Sequence, residues 1–188
     1  VVISSLGTTS RGARVVLAGD VTALLAAVTG VPLAASSEEH HALLGEARVV
    51  SGALLIAGRS VADDEHFAVT GAAPLDPKLP AAWTVEQYVA WSARLSGASK
   101  RLANELAPLA LARVGLLAAA KRALGSLALP ERRALLLAHA AVLSPEVIVA
   151  EAPLSGLDGA GAELVANALA CAVEGRGAIV SVSRLDPG

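Results

Sequence analysis

The chain has 188 residues, 54% of them hydrophobic, with a mean hydropathy of +0.60, enough for one sizeable α/β domain with a real core. No apolar run approaches the about 20 residues of a membrane span: the longest, Ala134 to Leu143, is interrupted by His139 and flanked by Arg132, Arg133 and Glu146. A net charge of −2 and a pI of about 6.1 leave no basic footprint for nucleic acid or anionic lipid, and one cysteine, Cys171, excludes an internal disulfide, which fits a cytosolic setting. The opening residues lack a basic region followed by a long apolar stretch, so no signal peptide is expected.

In chain order, Arg14–Ala18 reads as a buried strand, and Val21–Thr29 as an Ala/Leu/Val helix closed by Gly30. Ser36–Glu46 is polar and reads as a surface loop or short helix. Ser51–Gly58 is a strand bounded by glycines, and Ala73–Pro80, rich in proline, is a loop. Thr84 caps a helix with Glu86 in its first turn and Val85, Tyr88, Val89 and Leu95 as packing positions. Helical material continues with breaks from Ser99 to Lys121. Pro130, at the first helical position, starts a helix over Glu131–Leu143. Val147–Ala150 is a strand, Gly161–Val173 a helix and Ala178–Val182 a final strand. Strands alternating with helices predict a largely parallel, covered sheet.

The segment from Leu127 to Asp158 reads LALPERRALLLAHAAVLSPEVIVAEAPLSGLD. It resembles the ATP-binding cassette (ABC) ATPase segment that runs from the signature motif through Walker B to the D-loop, and it registers without a gap. Pro145-Glu146-Val147, Pro153 and Ser155-Gly156-Leu157-Asp158 match by identity. Ser51-Gly52 and Gly58-Arg59 resemble the family's hairpin after the first helix, and Thr84-Val85 the start of its helical subdomain, so the resemblance spans nearly the whole chain. It implies a P-loop-NTPase-like, mostly parallel sheet flanked by helices. Residues 1–83 and 130–188 would form the nucleotide-binding-like core and 84–129 the helical subdomain, in one continuous domain.

The same register shows chemistry missing. A P-loop needs glycines so that backbone N–H groups wrap phosphate, a Lys for the β/γ-phosphates and a Ser or Thr for Mg²⁺. The corresponding stretch here, Gly19-Asp20-Val21-Thr22, is shorter; Val21 stands where the Lys would be, and Asp20 would repel phosphate. Thr22 alone fits a Mg²⁺ ligand, though as a residue in the first turn of a helix it has a simpler reading. The Walker B pair is Glu151-Ala152: Glu151 could reach a metal through water, but Ala152 leaves the general-base role empty. Ala128, Leu129 and Pro130 replace the signature Ser and glycines, so the hydroxyl and one amide are gone. The Q-loop Gln falls near Ala72 or Ala73, neither of which binds a metal or water. Arg184 replaces the switch His and cannot shuttle a proton.

The joint losses predict a preserved fold with an abandoned site: no catalytic residues, no metal, and neither ATP nor Mg²⁺ as cofactor. What the resemblance implies is a pseudo-ATPase subunit with a structural or regulatory role in a membrane-associated ABC transporter-like complex. It would be cytoplasmic and peripheral to the inner face of the membrane. Its expected partners are a transmembrane subunit and a second ATPase-like subunit, in a hetero- or homodimer meeting at the D-loop, Ser155, Gly156, Leu157 and Asp158. The alternatives are a soluble scaffold or regulatory module on the same fold, or an ABC ATP-binding protein that retains nucleotide binding.

Other side chains have simpler readings. His40-His41 with Glu38 and Glu39 form a solvated turn, because adjacent residues point apart and no second pair completes a tetrahedron. Asp63, Asp64, Glu65 and His66 read as an exposed charged turn, Cys171 as a small packed residue, and Lys121-Arg122 and Arg132-Arg133 as solvated helix faces. Trp83, Tyr88 and Trp91 stand out in a chain with 2% aromatics; they are either core or a partner-facing patch.

Overall fold

A computed structural model describes residues 15–17, 32–33, 55–60 and 65–180. The expected helix at Val21–Thr29, the polar stretch Ser36–Glu46, Ser51-Gly52, Asp63-Asp64, the positions Gly19 to Thr22 and Arg184 lie outside the described residues.

Five strands make one parallel sheet: β1 (Val15–Leu17), β2 (Pro32–Leu33), β5 (Thr70–Ala73), β6 (Val147–Ala150) and β7 (Gly177–Val180), in the order β2-β1-β7-β6-β5. Register is continuous across the middle: Val147 faces Thr70 on one side and Gly177 on the other, and Ala150 faces Ala73 and Val180. All four residues of β6 are buried, as its uninterrupted apolar sequence requires in a sheet covered on both faces. β5 was not expected, because Ala73 reads as the start of a loop and Thr70-Gly71-Ala72 has no apolar run. Within Ser51–Gly58, read as a strand, the described residues give β3 (Leu55–Ile56), which pairs with β4 (Arg59–Ser60) in a hairpin, as the resemblance at Gly58-Arg59 implies. Ala57 and Gly58 form its two-residue turn, both with positive φ, which matches the twist of an antiparallel pair.

Four helices follow the described part of the hairpin: α1 (Val85–Leu95), α2 (Lys100–Arg113), α3 (Leu129–Ala141) and α4 (Gly159–Val173). Thr84 caps α1 with a full reciprocal box: Gln87 N–H donates to Thr84 Oγ1 at 3.2 Å, and Thr84 N–H donates to Gln87 Oε1 at 2.8 Å. Both α1 and α2 end at a positive-φ glycine. Ala98 N–H reaches back to Ala93 O beyond Gly97, and Leu116 N–H to Leu111 O beyond Gly115. Pro108 lies inside α2, where it withholds one backbone donor.

Helix α3 is the hub. Arg133 to Ala138 are all buried, which a helix shows only when neighbours cover it all round. It packs on β5 and β6, and α1, α2 and α4 pack against it. Leu135, Leu137, Ile148, Val85, Val89 and Leu111 are fully buried in one continuous core, and each contributes roughly 1.5–3 kcal/mol of apolar burial. The fit of β5 under α3 is tight enough to require glycine: a Cβ at Gly71 would lie 1.9 Å from the carbonyl oxygen of Ala140.

Several expectations are corrected here. Leu95 is 66% exposed, because it lies on the outer side of the last turn of α1. Cys171 is exposed on α4 rather than packed. Pro130 is the second residue of α3, Leu129 the first, and the helix stops at Ala141, short of Leu143. Arg133 is buried at 7% exposure, since the helix face it occupies is covered. Lys121 and Arg122 are exposed but not merely solvated: Lys121 pairs with Glu86, and Arg122 with Glu131.

Candidate site at the end of β6

Glu151 is the first residue past β6, and two bonds fasten it to the end of β5. Its N–H donates to Ala73 O at 2.9 Å, and its Oε2 accepts from Leu75 N–H at 2.9 Å. The carboxylate is thus engaged by a backbone amide 76 residues away in sequence. Ala72 lies in β5 next to Ala73, so the structure brings Ala72 and Glu151 to neighbouring strand ends. Ala152 is buried at 7% exposure and takes a positive φ of 37°, a sharp turn that ends the strand and directs the chain outward. With no polar side-chain atom, Ala152 can neither orient nor deprotonate a water.

Ser155 to Asp158 follow as a compact turn. Ser155 N–H donates to Ala152 O at 2.9 Å, Leu157 N–H to Leu154 O at 3.4 Å, and Gly156 has φ 71°. Asp158 caps α4: its Oδ1 accepts from Gly161 N–H at 2.7 Å, satisfying a donor the helix leaves open. A Cβ at Gly161 would come within 2.8 Å of Pro130 Cγ, so the starts of α3 and α4 nearly touch. The structure therefore brings Ala128–Pro130 and Asp158–Gly161 together as one edge.

At that edge Ala128 is the N-cap of α3 and has no side chain that can accept a hydrogen bond. Only the reciprocal half of a cap remains, with Glu131 Oε2 accepting Ala128 N–H at 2.8 Å. Arg122 grips the same carboxylate with both nitrogens, Nη1 to Oε1 at 2.5 Å and Nη2 to Oε2 at 3.2 Å. That bonded guanidinium holds Glu131 below the usual carboxylate range. Among the described residues of the site, Glu151 Oε2 accepts the Leu75 amide, and neither Ala152 nor Ala128 carries a polar side-chain atom.

Two residues to which sequence reasoning gave no role in a site also lie on α3. Arg133 is buried, with Nε and Nη1 unpartnered among the described residues. His139, noted only as a break in an apolar run, stacks on Tyr88 with ring centroids 5.4 Å apart. Burial pushes its pKa down to about 4. Tyr88 lies 5.9 Å from Trp91, which meets Trp83 edge-on at 5.7 Å. Tyr88 is the buried member, its phenol pushed up by desolvation, while Trp83 and Trp91 are each 38% exposed. The aromatic group is thus both core and surface. Among the described residues no group of His, Cys, Asp and Glu could hold a metal, and no helix is long and apolar enough to cross a membrane.

No protein-family model matches the sequence, and no curated protein matches it. Solved structures do. A metal-chelate type ABC transporter in an inward-facing conformation is 19% identical, with a TM-score of 0.64; the match covers 93% of this chain and 64% of that one. An ABC transporter ATP-binding protein from Pyrococcus furiosus is 19% identical at a TM-score of 0.65, covering 94% of this chain and 82% of its own. An ATP-binding cassette of an ABC transporter in its ADP conformation is 16% identical at 0.65, covering 94% and 72%. The chain spans less than two thirds of the first of these, and identities of 16–19% speak to architecture. Sheet order, helix order and these likenesses together give the conclusion that the chain has the fold of an ABC transporter ATPase domain.

Proposed function

We propose that this chain is a pseudo-ATPase: a subunit that uses the ABC ATPase fold for assembly and neither binds magnesium-bound ATP tightly nor hydrolyses it. The observation that carries the reading is the end of β6, where Glu151 is bonded to Leu75 N–H and the following residue is Ala152. A hydrolytic site needs a metal ligand and a water-activating base there, and function resides in such a site rather than in the fold. The loss of the cap hydroxyl at Ala128 and the sequence at Gly19 to Thr22 and Arg184 support the same reading.

The proposed setting is cytoplasmic, peripheral to the inner face of a membrane, beside a transmembrane subunit and a second ATPase-like subunit. The structural relatives, all ABC transporters or their ATP-binding components, motivate that setting. The partly exposed Trp83–Trp91 pair would anchor the membrane subunit, since aromatic anchors dominate such interfaces, and Ser155–Asp158 would meet the second subunit. Co-purification from detergent-solubilised membranes tests this. Tagged wild type is expected to bring down both partners, and Trp91→Ala to weaken the membrane partner by about thirtyfold, roughly 2 kcal/mol. A chain that comes down alone and monomeric contradicts the assembly reading.

A further inference from the structure

The connection between α1 and α2 breaks two local rules at once. Leu95 ends α1, and Leu102 lies in the first turn of α2, where the cap Ser99 accepts its amide on Oγ at 3.2 Å. Both leucines are exposed. Lys100 and Arg101 fill the first two positions of α2, an end where the helix dipole favours carboxylates, and no acidic residue stands in that turn. Arg94 adds a third exposed cation next to Leu95. One exposed leucine says nothing, since folded surfaces carry many. Two at one turn, with cations set against the dipole, are a departure that the fold itself does not use.

The surroundings agree. Trp91 lies four residues before Leu95, one helical turn away on the same face of α1, and Trp83 meets it edge-on. From Tyr88 to Asn104 the chain carries three basic residues, Arg94, Lys100 and Arg101, and no acidic one. The flanking acids are both paired, Glu86 with Lys121 and Glu105 with Arg101 at 3.5 Å. The net charge of −2 therefore averages over a locally positive turn. Exposed leucine, tryptophan one turn deeper and flanking Lys and Arg suit a bilayer interface. Apolar side chains enter it, tryptophan lies at headgroup depth, and the cations meet anionic lipid. We propose that the α1–α2 turn, with Leu95 and Leu102 at its two ends and Arg94, Lys100 and Arg101 beside them in sequence, docks directly on an anionic lipid surface. The inference rests on the membrane-peripheral setting proposed above, with the turn touching lipid beside the subunit that Trp83 and Trp91 anchor.

Protein-free vesicles decide it. The full chain is mixed with vesicles of phosphatidylcholine alone, or of phosphatidylcholine with phosphatidylserine, and sedimented. Trp83 and Trp91 are the only tryptophans in the chain, so their emission reports on this face alone. The chain is expected to sediment with the phosphatidylserine vesicles and not with phosphatidylcholine alone. Its emission should shift to the blue, and added salt should weaken binding by screening. Each cation near an anionic leaflet is worth about fivefold in affinity, so Lys100→Glu with Arg101→Glu should bind about twentyfold or more weakly. Carboxylates suit a helix start, so that variant should keep the wild-type thermal midpoint. Leu95→Ser, at an exposed position, should also weaken binding without lowering the midpoint. Failure to sediment, full binding by the double variant, or unshifted tryptophan emission in the bound chain would each overturn the lipid contact. So would a wild type that ignores vesicles while the double variant loses the membrane subunit in co-purification; the turn would then take an acidic protein segment. Partners missing from co-purification would instead sink the assembly reading and leave the vesicle result standing.

Discussion

Helices α1 and α3 face the same problem at their first turn, backbone amides without an intrahelical acceptor, and meet it differently. At α1 the hydroxyl of Thr84 takes the Gln87 amide and Gln87 returns the bond. At α3 the cap is Ala128, only Glu131 reaches back, and an arginine is needed to hold Glu131 in place. Helix α4 resembles α1, with Asp158 accepting the Gly161 amide. Polar caps thus stand at α1 and α4, and alanine stands at 128 and 152, the two positions where, on the proposed reading, a hydrolytic enzyme would add chemistry. A chain kept for its shape and released from catalysis would show that division.

The division can be broken by substitution. The largest expected effect is in the frame: Gly71→Ala should cost about 3 kcal/mol by denaturant unfolding, since its Cβ would meet the backbone oxygen of Ala140 at 1.9 Å and neither strand nor helix can yield cheaply. Comparable in size is a pH effect at the α1–α3 contact. The His139 pKa falls from the ordinary 6.5 to about 4 by burial, so the unfolded chain binds that proton more readily than the folded one. Its contribution is present in full above pH 6.5 and is lost as pH falls toward 4, up to about 3 kcal/mol in all. In His139→Phe that part of the acid slope should vanish.

Smaller effects sharpen the contrast between caps. Thr84→Ala and Asp158→Ala should each cost about 1 kcal/mol, read as a shift in denaturant midpoint. Ala128→Ser, which rebuilds the missing cap of α3, should stabilise by about 0.5–1 kcal/mol. Were Ala128→Ser destabilising, the alanine would be serving the fold, and the contrast between frame and site would lose its meaning.

Much of the frame is legible in the sequence for identifiable reasons. Val147–Ala150 is read correctly because a strand covered on both faces must be apolar throughout, and Thr84 because a capping hydroxyl precedes a helix-periodic run. β5 is hidden because α3 lies so close that Gly71 and its small neighbours replace the usual strand residues. Arg133 and Leu95 are misjudged for one reason: periodicity within a helix does not tell which neighbours cover it. At the site, the missing side chains at 128 and 152 can be read directly, whereas the Glu151–Leu75 bond cannot. It joins a side chain to a backbone amide, and amides carry no residue identity.

The central claim is that the site does no hydrolysis, and steady-state ATP turnover with Mg²⁺ tests it most directly, on wild type and on Ala152→Glu. The account predicts no turnover above background in either, because a restored carboxylate would still lack a metal ligand, a phosphate-wrapping loop and its lysine, and groups that act as a unit are not repaired one at a time. Turnover by the wild-type chain that disappears in Glu151→Ala or Thr22→Ala would contradict it.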